Sequence, residues 1–326
     1  MVGLLVALLL QVTGMGNTYS EYIIGKAIPK GDLNNINFID LKDFRIHEDY
    51  IYAADFKGKQ VYAFDKNGQL INKAGGSGKG PGEFVHGPRI ISSAGDEVFI
   101  LGMMPYLMKY DVSLNYKRNT YLFKNIFSVY DMVTTEHELV FAMSSFFEEH
   151  ITVYNRDKDL ISTINLGFEL KAGMLNEFTI QLLNNERWLF TWPYQNKFKI
   201  YNRDFSPELE FSIPGLPAES KGRIIQTKIP ASATKYRKKM YETGTFVPSG
   251  SFLPTTVVLN QDHLLVQLGA QTGNPQKALI ISLKGEILQE IKLPVAGRIL
   301  GYSDDELFML VSDSNSISAY QITRSD

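Results

Sequence analysis

Apolar and polar positions follow a repeating order along this chain. A short apolar run opens just after an acidic turn. A loop follows, and then a second run alternates apolar and polar residues and ends at a large apolar position. The first such unit is HEDYIYAADFKGKQVYAFDKNGQLINKAG, starting at His47. Others start at Gly95, Glu136, Asn185, Gln261 and Asp304. The equivalent end positions are Phe64, Tyr110, Tyr154, Tyr201, Ile281 and Tyr320, spaced 39 to 47 residues apart with one spacing of 80. Alternation of this kind marks strands, and dipeptides such as Asn67-Gly68 and Lys284-Gly285 supply the positive φ of hairpin turns. Helical periodicity is nearly absent.

A period in the forties with four short strands per unit predicts the blades of a β-propeller. The sixth unit stops after its third strand. Tyr19–Gly25 alternates and precedes the first unit, so it can supply the missing strand and close the ring. An open ring would leave two long unpaired edges. The expectation is therefore all-β: one six-bladed propeller over 17–326, closed by an N-terminal strand that completes the last blade.

The crossing from the first blade to the second carries KAGGSGKGPGEF over 73–84. Gly75 and Gly80 have phosphate-loop spacing, but Pro81 stands where the lysine is required. The dinucleotide pattern fails too, with Pro81 or Glu83 in place of its last glycine, and no helix is predicted after either. The glycines instead suit a chain that must turn from the rim of one blade to the hub of the next. Phe84 is placed to pack between those blades.

GKGPGEF with Pro88 after it, and IYAADFKGKQVYAFDKNGQLINKAG before it, resemble the repeat of NHL-type propellers and of the TolB-like and NHL-like bacterial six-bladed group. The resemblance is specific over residues 47–89 and continues as strand pattern alone. It implies the propeller fold. Some six-bladed propellers are calcium-dependent lactonases or related hydrolases. The oxygen ligands which that chemistry needs would here be Glu83, Asp131, Glu177 and Asn260, all near predicted inner strands.

The long spacing holds an insertion over 214–253, bounded by prolines. ASATKYRKKMYETG within it predicts a short helix, with Ser232 as N-cap and Gly244 past its end. A lid or binding element and a strut on the side of the ring both fit a loop of this length.

Composition removes several classes. There is no cysteine, which excludes disulfides, thiolate metal sites and thiol nucleophiles. The net charge of −2 gives no footprint for nucleic acid, and Lys235–Lys239 is a single basic cluster. At the N-terminus, the apolar run Val2–Leu10 is too short to span a bilayer but fits the core of an export signal over 1–16, with Gly14 and Gly16 as small residues for cleavage. A periplasmic, extracellular or envelope-associated chain with no spanning segment in its mature form is expected.

No zinc-protease or serine-hydrolase motif occurs. His47, His137 and His263 sit at equivalent turns of different blades and so cannot share a metal. The loops between second and third strands should gather on one face with the crossing loops, and three of them are aromatic. Candidate ligand-binding residues are Met104, Tyr106, Phe147, Trp192 and Tyr194, with Gln195, Gln271 and Asn274 for hydrogen bonds and His86 and Arg89 at the same mouth. Clustered aromatic rings on loops suit a contact surface. The expected activity is recognition of a peptide, glycan or partner protein, without catalysis or cofactor. The alternative is a calcium-dependent hydrolase, lactonase or lyase using the channel carboxylates.

Overall fold

The computed structural model describes residues 21–102, 106–121, 128–144, 149–155, 160–166, 177–183, 187–225, 245–249, 253–269 and 276–324. Strand β1 (Tyr22–Ile28) leads into a 3-10 turn at Gly31–Asn34. Blade 1 is β2 (Leu41–His47), β3 (Tyr50–Asp55), β4 (Gln60–Asp65) and β5 (Leu70–Gly75). Blade 2 is β6 (Pro88–Ala94), β7 (Glu97–Gly102), β8 (Tyr106–Asp111) and β9 (Tyr116–Tyr121). Blade 3 is β10 (Ser128–Thr134), β11 (Glu138–Ser144), β12 (Glu149–Asn155) and β13 (Leu160–Asn165). Blade 4 is β14 (Thr179–Leu183), β15 (Arg187–Thr191), β16 (Phe198–Asn202) and β17 (Pro207–Phe211). A separate ribbon, β18 (Gly222–Ile225) with β19 (Thr245–Pro248), lies in the insertion. Blade 5 is β20 (Thr256–Val258), β21 (His263–Gln267), β22 (Lys277–Ser282) and β23 (Ile287–Lys292). Blade 6 is β24 (Gly297–Ser303), β25 (Glu306–Val311) and β26 (Ile317–Arg324), with β1 as its outer strand.

Each blade is an antiparallel four-stranded sheet, and the chain makes a ring of six. Six apolar clusters hold it, one at each blade interface. On β7, Val98 and Ile100 pack toward blade 1, while Phe99 and Leu101 pack toward blade 3. A second strand is thus buried on both faces, which is why it reads as an unbroken apolar run. Outer strands alternate instead, as in β5 and β13, because one face meets water. The crossing loop turns on Gly75, Gly76, Gly82 and Gly87, all at positive φ. A Cβ on Gly87 would lie 2.1 Å from the Phe56 carbonyl oxygen. Phe84 is buried in the cluster between blades 1 and 2.

The closing strand runs over Tyr22–Ile28, a few residues beyond the stretch whose alternation suggested it. A bulge between Ile24 and Ala27 interrupts the alternation there. Tyr22 ties the strand to blade 5 as well. Its amide donates to Gln289 Oε1 (2.8 Å) and its carbonyl accepts from Gln289 Nε2 (2.7 Å). Its hydroxyl lies 2.9 Å from His263 Nδ1 and accepts from Asn260 Nδ2 at 2.9 Å.

Burial and the Arg324 guanidinium hold the His263 imidazole below its ordinary value, against the pull of Asp262. The unfolded chain therefore binds this proton more readily, so acid favours unfolding. The stability contributed is complete above the ordinary histidine value and is lost as pH falls through it to the folded value. We expect scanning calorimetry to show the melting temperature falling between about pH 7 and 5, and His263→Gln to flatten that slope. Identical slopes in the two proteins would remove His263 from the closure.

Candidate functional site

The first strand of each blade lines the central channel. Each of these six strands pairs on one side only, so its other edge leaves backbone N–H and C=O groups without a strand partner. Unpaired buried backbone groups are costly, and side chains take up this edge. The caps run in one direction around the ring. Asp43 Oδ2 accepts from the Ile91 amide (2.7 Å) and Arg45 Nε donates to the Ile91 carbonyl (3.0 Å), joining blade 1 to blade 2. Arg89 reaches the Val129 carbonyl (3.2 Å), and Ser92 Oγ accepts from the Thr134 amide (2.7 Å). Asp131 Oδ2 accepts from the Ile180 amide (3.0 Å). Gln181 Nε2 donates to the Thr256 carbonyl (2.8 Å). Gln267 Oε1 and Thr255 Oγ1 hold the amide and carbonyl of Ile299 (both 2.9 Å). Arg298 closes the circle on the Leu41 carbonyl at 3.0 Å.

Bulges in β2, β6, β10 and β24 fall at Lys42, Arg89, Tyr130 and Leu300, and all four line the channel. An inserted residue re-aims a side chain out of the sheet pattern, which puts these residues in the cavity wall. The cavity is about 550 Å³. Among the described residues its wall carries Lys42, Arg45, Arg89 and Arg298 against two acids, Asp43 and Asp131.

Both acids are committed. Arg45 Nη2 lies 2.6 Å from Asp131 Oδ1, and Arg45 Nε lies 3.3 Å from Asp43 Oδ2. Burial by itself would lower the Arg45 guanidinium, but the two carboxylates more than reverse this and hold it above its ordinary value. Burial pushes the Asp131 carboxyl up, opposed by Arg45. One shared cation and two backbone N–H groups leave Asp131 little capacity for other work. Within electrostatic reach of Arg89, burial raises the Glu177 carboxyl against that cation's pull, and burial with Glu177 nearby raises the Tyr194 phenol.

The residues singled out in the sequence divide among several places. Arg89 lines the channel. His86, Tyr106 and Glu83 line a second cavity of about 340 Å³ beside the crossing loop, with Tyr106 40% exposed. Tyr194 is half-buried. Trp192 and Gln195 correct the expectation of exposed loop contacts. Trp192 is 1% exposed and stacks on Phe178 (5.7 Å between ring centres), and Gln195 is also buried. The loop turns the Trp192 ring inward into the cluster between blades 3 and 4, and Gln195 bridges to Glu219 at the base of the insertion. Met104, Phe147, Gln271 and Asn274 lie outside the described residues, as do residues 1–16, Lys235–Lys239 and the expected helix at 231–244.

The four calcium candidates do not share a site. Glu83 accepts from the Gly80 amide (2.7 Å) in the crossing loop, Asp131 lies in the channel, and Asn260 bonds Tyr22 and His263 at the closure. Among the described residues no three His, Asp or Glu side chains gather to hold a metal ion.

The base of the insertion lies on the loop face of blade 4. The Asn196 amide donates to the Ala218 carbonyl, and the Ser220 amide donates to the Tyr194 carbonyl (both 2.8 Å). On its return the Leu253 amide donates to the Pro193 carbonyl (2.9 Å), and Leu253 and Pro254 line the channel.

Six four-stranded blades, a ring closed by a terminal strand and a channel walled by first strands define a six-bladed β-propeller. The family described as 6-bladed beta-propeller, DUF5128, matches residues 34–241, and the chain belongs to that family. Among solved structures it is similar to a candidate exported protein of Bacteroides fragilis, with 13% identity and a TM-score of 0.59 over 95% of this chain and 96% of that one. It is also similar to virginiamycin B lyase from Staphylococcus aureus, with 13% identity and a TM-score of 0.53 over 92% and 99%. U3-55K aligns with 10% identity and a TM-score of 0.58 over 92% and 98%. Likenesses at this identity are of fold. No curated protein matches the chain. No helix among the described residues is long and apolar enough to cross a membrane.

Proposed function

We propose that this chain is a non-catalytic binding propeller acting outside the cytoplasm, and that its ligand enters at the loop face over the channel. The observation that carries the reading is the commitment of both channel carboxylates to Arg45 and to backbone amides. Groups so engaged hold a wall in shape; they are poorly placed to move protons or bind a metal. A cavity of about 550 Å³ is within the range of small-ligand sites. The insertion, anchored beside the mouth and contributing Leu253 and Pro254 to the wall, reads as a binding element. Export is supported by the apolar run at Val2–Leu10 and by the candidate exported propeller of similar fold. Kinship with NHL-like or TolB-like propellers rests on the repeat at 47–89 and is part of the same proposal.

A catalytic reading has one observation in its favour, the raised carboxyl of Glu177 beside Tyr194. Shifted carboxyls at a cavity mouth are candidate acids or bases. Calorimetric titration with calcium separates the readings. For the binding propeller the expected trace is heat of dilution alone, unchanged in Glu177→Gln. Stoichiometric uptake, or hydrolysis of a lactone lost in Glu177→Gln, would replace the binding propeller with an enzyme.

A further inference from the structure

The acidic side chains around the channel are used up unevenly. Asp40 pairs with Lys42 at 3.0 Å, and Asp43 and Asp131 pair with Arg45. Arg89 and Arg298 are each half-buried in the wall, and each donates to one backbone carbonyl, of Val129 and of Leu41. Among the described residues neither has a carboxylate within ion-pair distance. Asp40 and Asp43 lie within electrostatic reach of Arg298, and Glu177 within reach of Arg89, but none closes on its guanidinium. A guanidinium offers five N–H donors in a planar fork that matches the two oxygens of a carboxylate or phosphate. Most of these donors are still open. Apolar residues, among them Pro193, Leu253 and Leu300, share the wall with the polar Thr179, Gln181 and Thr255.

Both arginines sit near the start of a first strand, and all first strands run the same way. The starts of β6 and β24 therefore lie toward the loop face, on the side where the crossing loops enter. A ligand from that side meets the guanidinium groups before the committed acids deeper in.

We propose that the channel binds a small organic anion, with Arg89 and Arg298 receiving its carboxylate or phosphate and the apolar residues among the polar wall meeting its carbon body. This names a ligand class for the cavity of the proposed binding function and rests on that reading.

Benzoate, phenyl phosphate and the neutral analogue benzamide test the idea by calorimetric titration of the full chain. The expected result is saturable one-to-one binding of at least one anion, with benzamide roughly tenfold or more weaker. Arg89→Gln and Arg298→Gln should each weaken the anion roughly tenfold or more. Preference for benzoate or for phenyl phosphate assigns the carboxylate or the phosphate source. Arg298→Gln also loses a ring contact, so a second measurement avoids the variants. In the unmutated protein with ¹⁵N-labelled arginine, the Nε signals of Arg89 and Arg298 should move together as anion is added. Absence of binding by both anions, equal binding of benzamide, or arginine signals that stay still would overturn the proposal. Calcium uptake or lactone turnover alongside anion binding would sink the non-catalytic reading alone. No calcium uptake and no anion binding would sink this ligand class alone.

Discussion

Replacing Asp131 with alanine is expected to lower the unfolding free energy by about 3–5 kcal/mol, the range for breaking one side of a buried ion pair. Its carboxylate accepts from Arg45 Nη2 at 2.6 Å, from the Met132 amide at 2.8 Å and from the Ile180 amide at 3.0 Å. Alanine removes all three acceptor contacts at once. The Ile180 amide, on a first-strand edge with no neighbouring strand, loses its cap. Arg45 keeps only Asp43 as a carboxylate partner. Asp131→Asn retains one carbonyl acceptor and should cost less. Urea denaturation followed by tryptophan fluorescence can read this, because Trp188 and Trp192, the chain's two tryptophans, are both buried in blade 4 against the affected strand. A loss below about 1 kcal/mol would mean that the cap between blades 3 and 4 is filled by water at little cost.

The second large effect is expected at the closure. Tyr22→Ala should cost about 3–5 kcal/mol, the range for emptying a buried aromatic site. The ring is 6% exposed within the cluster between blades 5 and 6, its edge meets His263 at 5.9 Å, and its hydroxyl joins Asn260 and His263. Removing residues 21–28 altogether exposes the edge of β26 from Ala319 to Arg324. A bare strand edge templates pairing with another chain. Light scattering after size exclusion should show dimers or larger species for the shortened protein and not for Tyr22→Ala, which keeps the backbone pairing. A shortened protein that stays monomeric and melts as before would mean that three strands suffice for blade 6.

The blades were legible in the sequence because two interfaces bury every second strand. Val98–Leu101 and Leu264–Val266 are apolar on both faces, so they stand out, and the end positions from Phe64 to Tyr320 mark the third strands beside them. The β18–β19 ribbon was not legible. GRII and TFVP are four residues each, too short for alternation to register, and lie among prolines. An aromatic residue in a hairpin loop gives no sequence sign of which way its ring turns, and the turn at Trp192–Gln195 folds the Trp192 ring onto Phe178. The channel wall also carries a sequence signal. KDFR, PRI, VYDM and GRIL each place charge inside the first strand of a blade, where an apolar interface alone would not call for it. Each of those charged strands caps the next blade.

The pairing of β1 with β26 sets Tyr22 opposite Arg324 and Ile28 opposite Ala319. Strand β26 leaves the loop face after the turn at 312–316 and runs away from it, so Tyr22 and Arg324 lie side by side at the back of the wheel. Anything joined ahead of the first or behind the last strand shares that point of departure. A leash to a surface or a second domain at either end would hold the wheel from behind, leaving the loop face turned away from it.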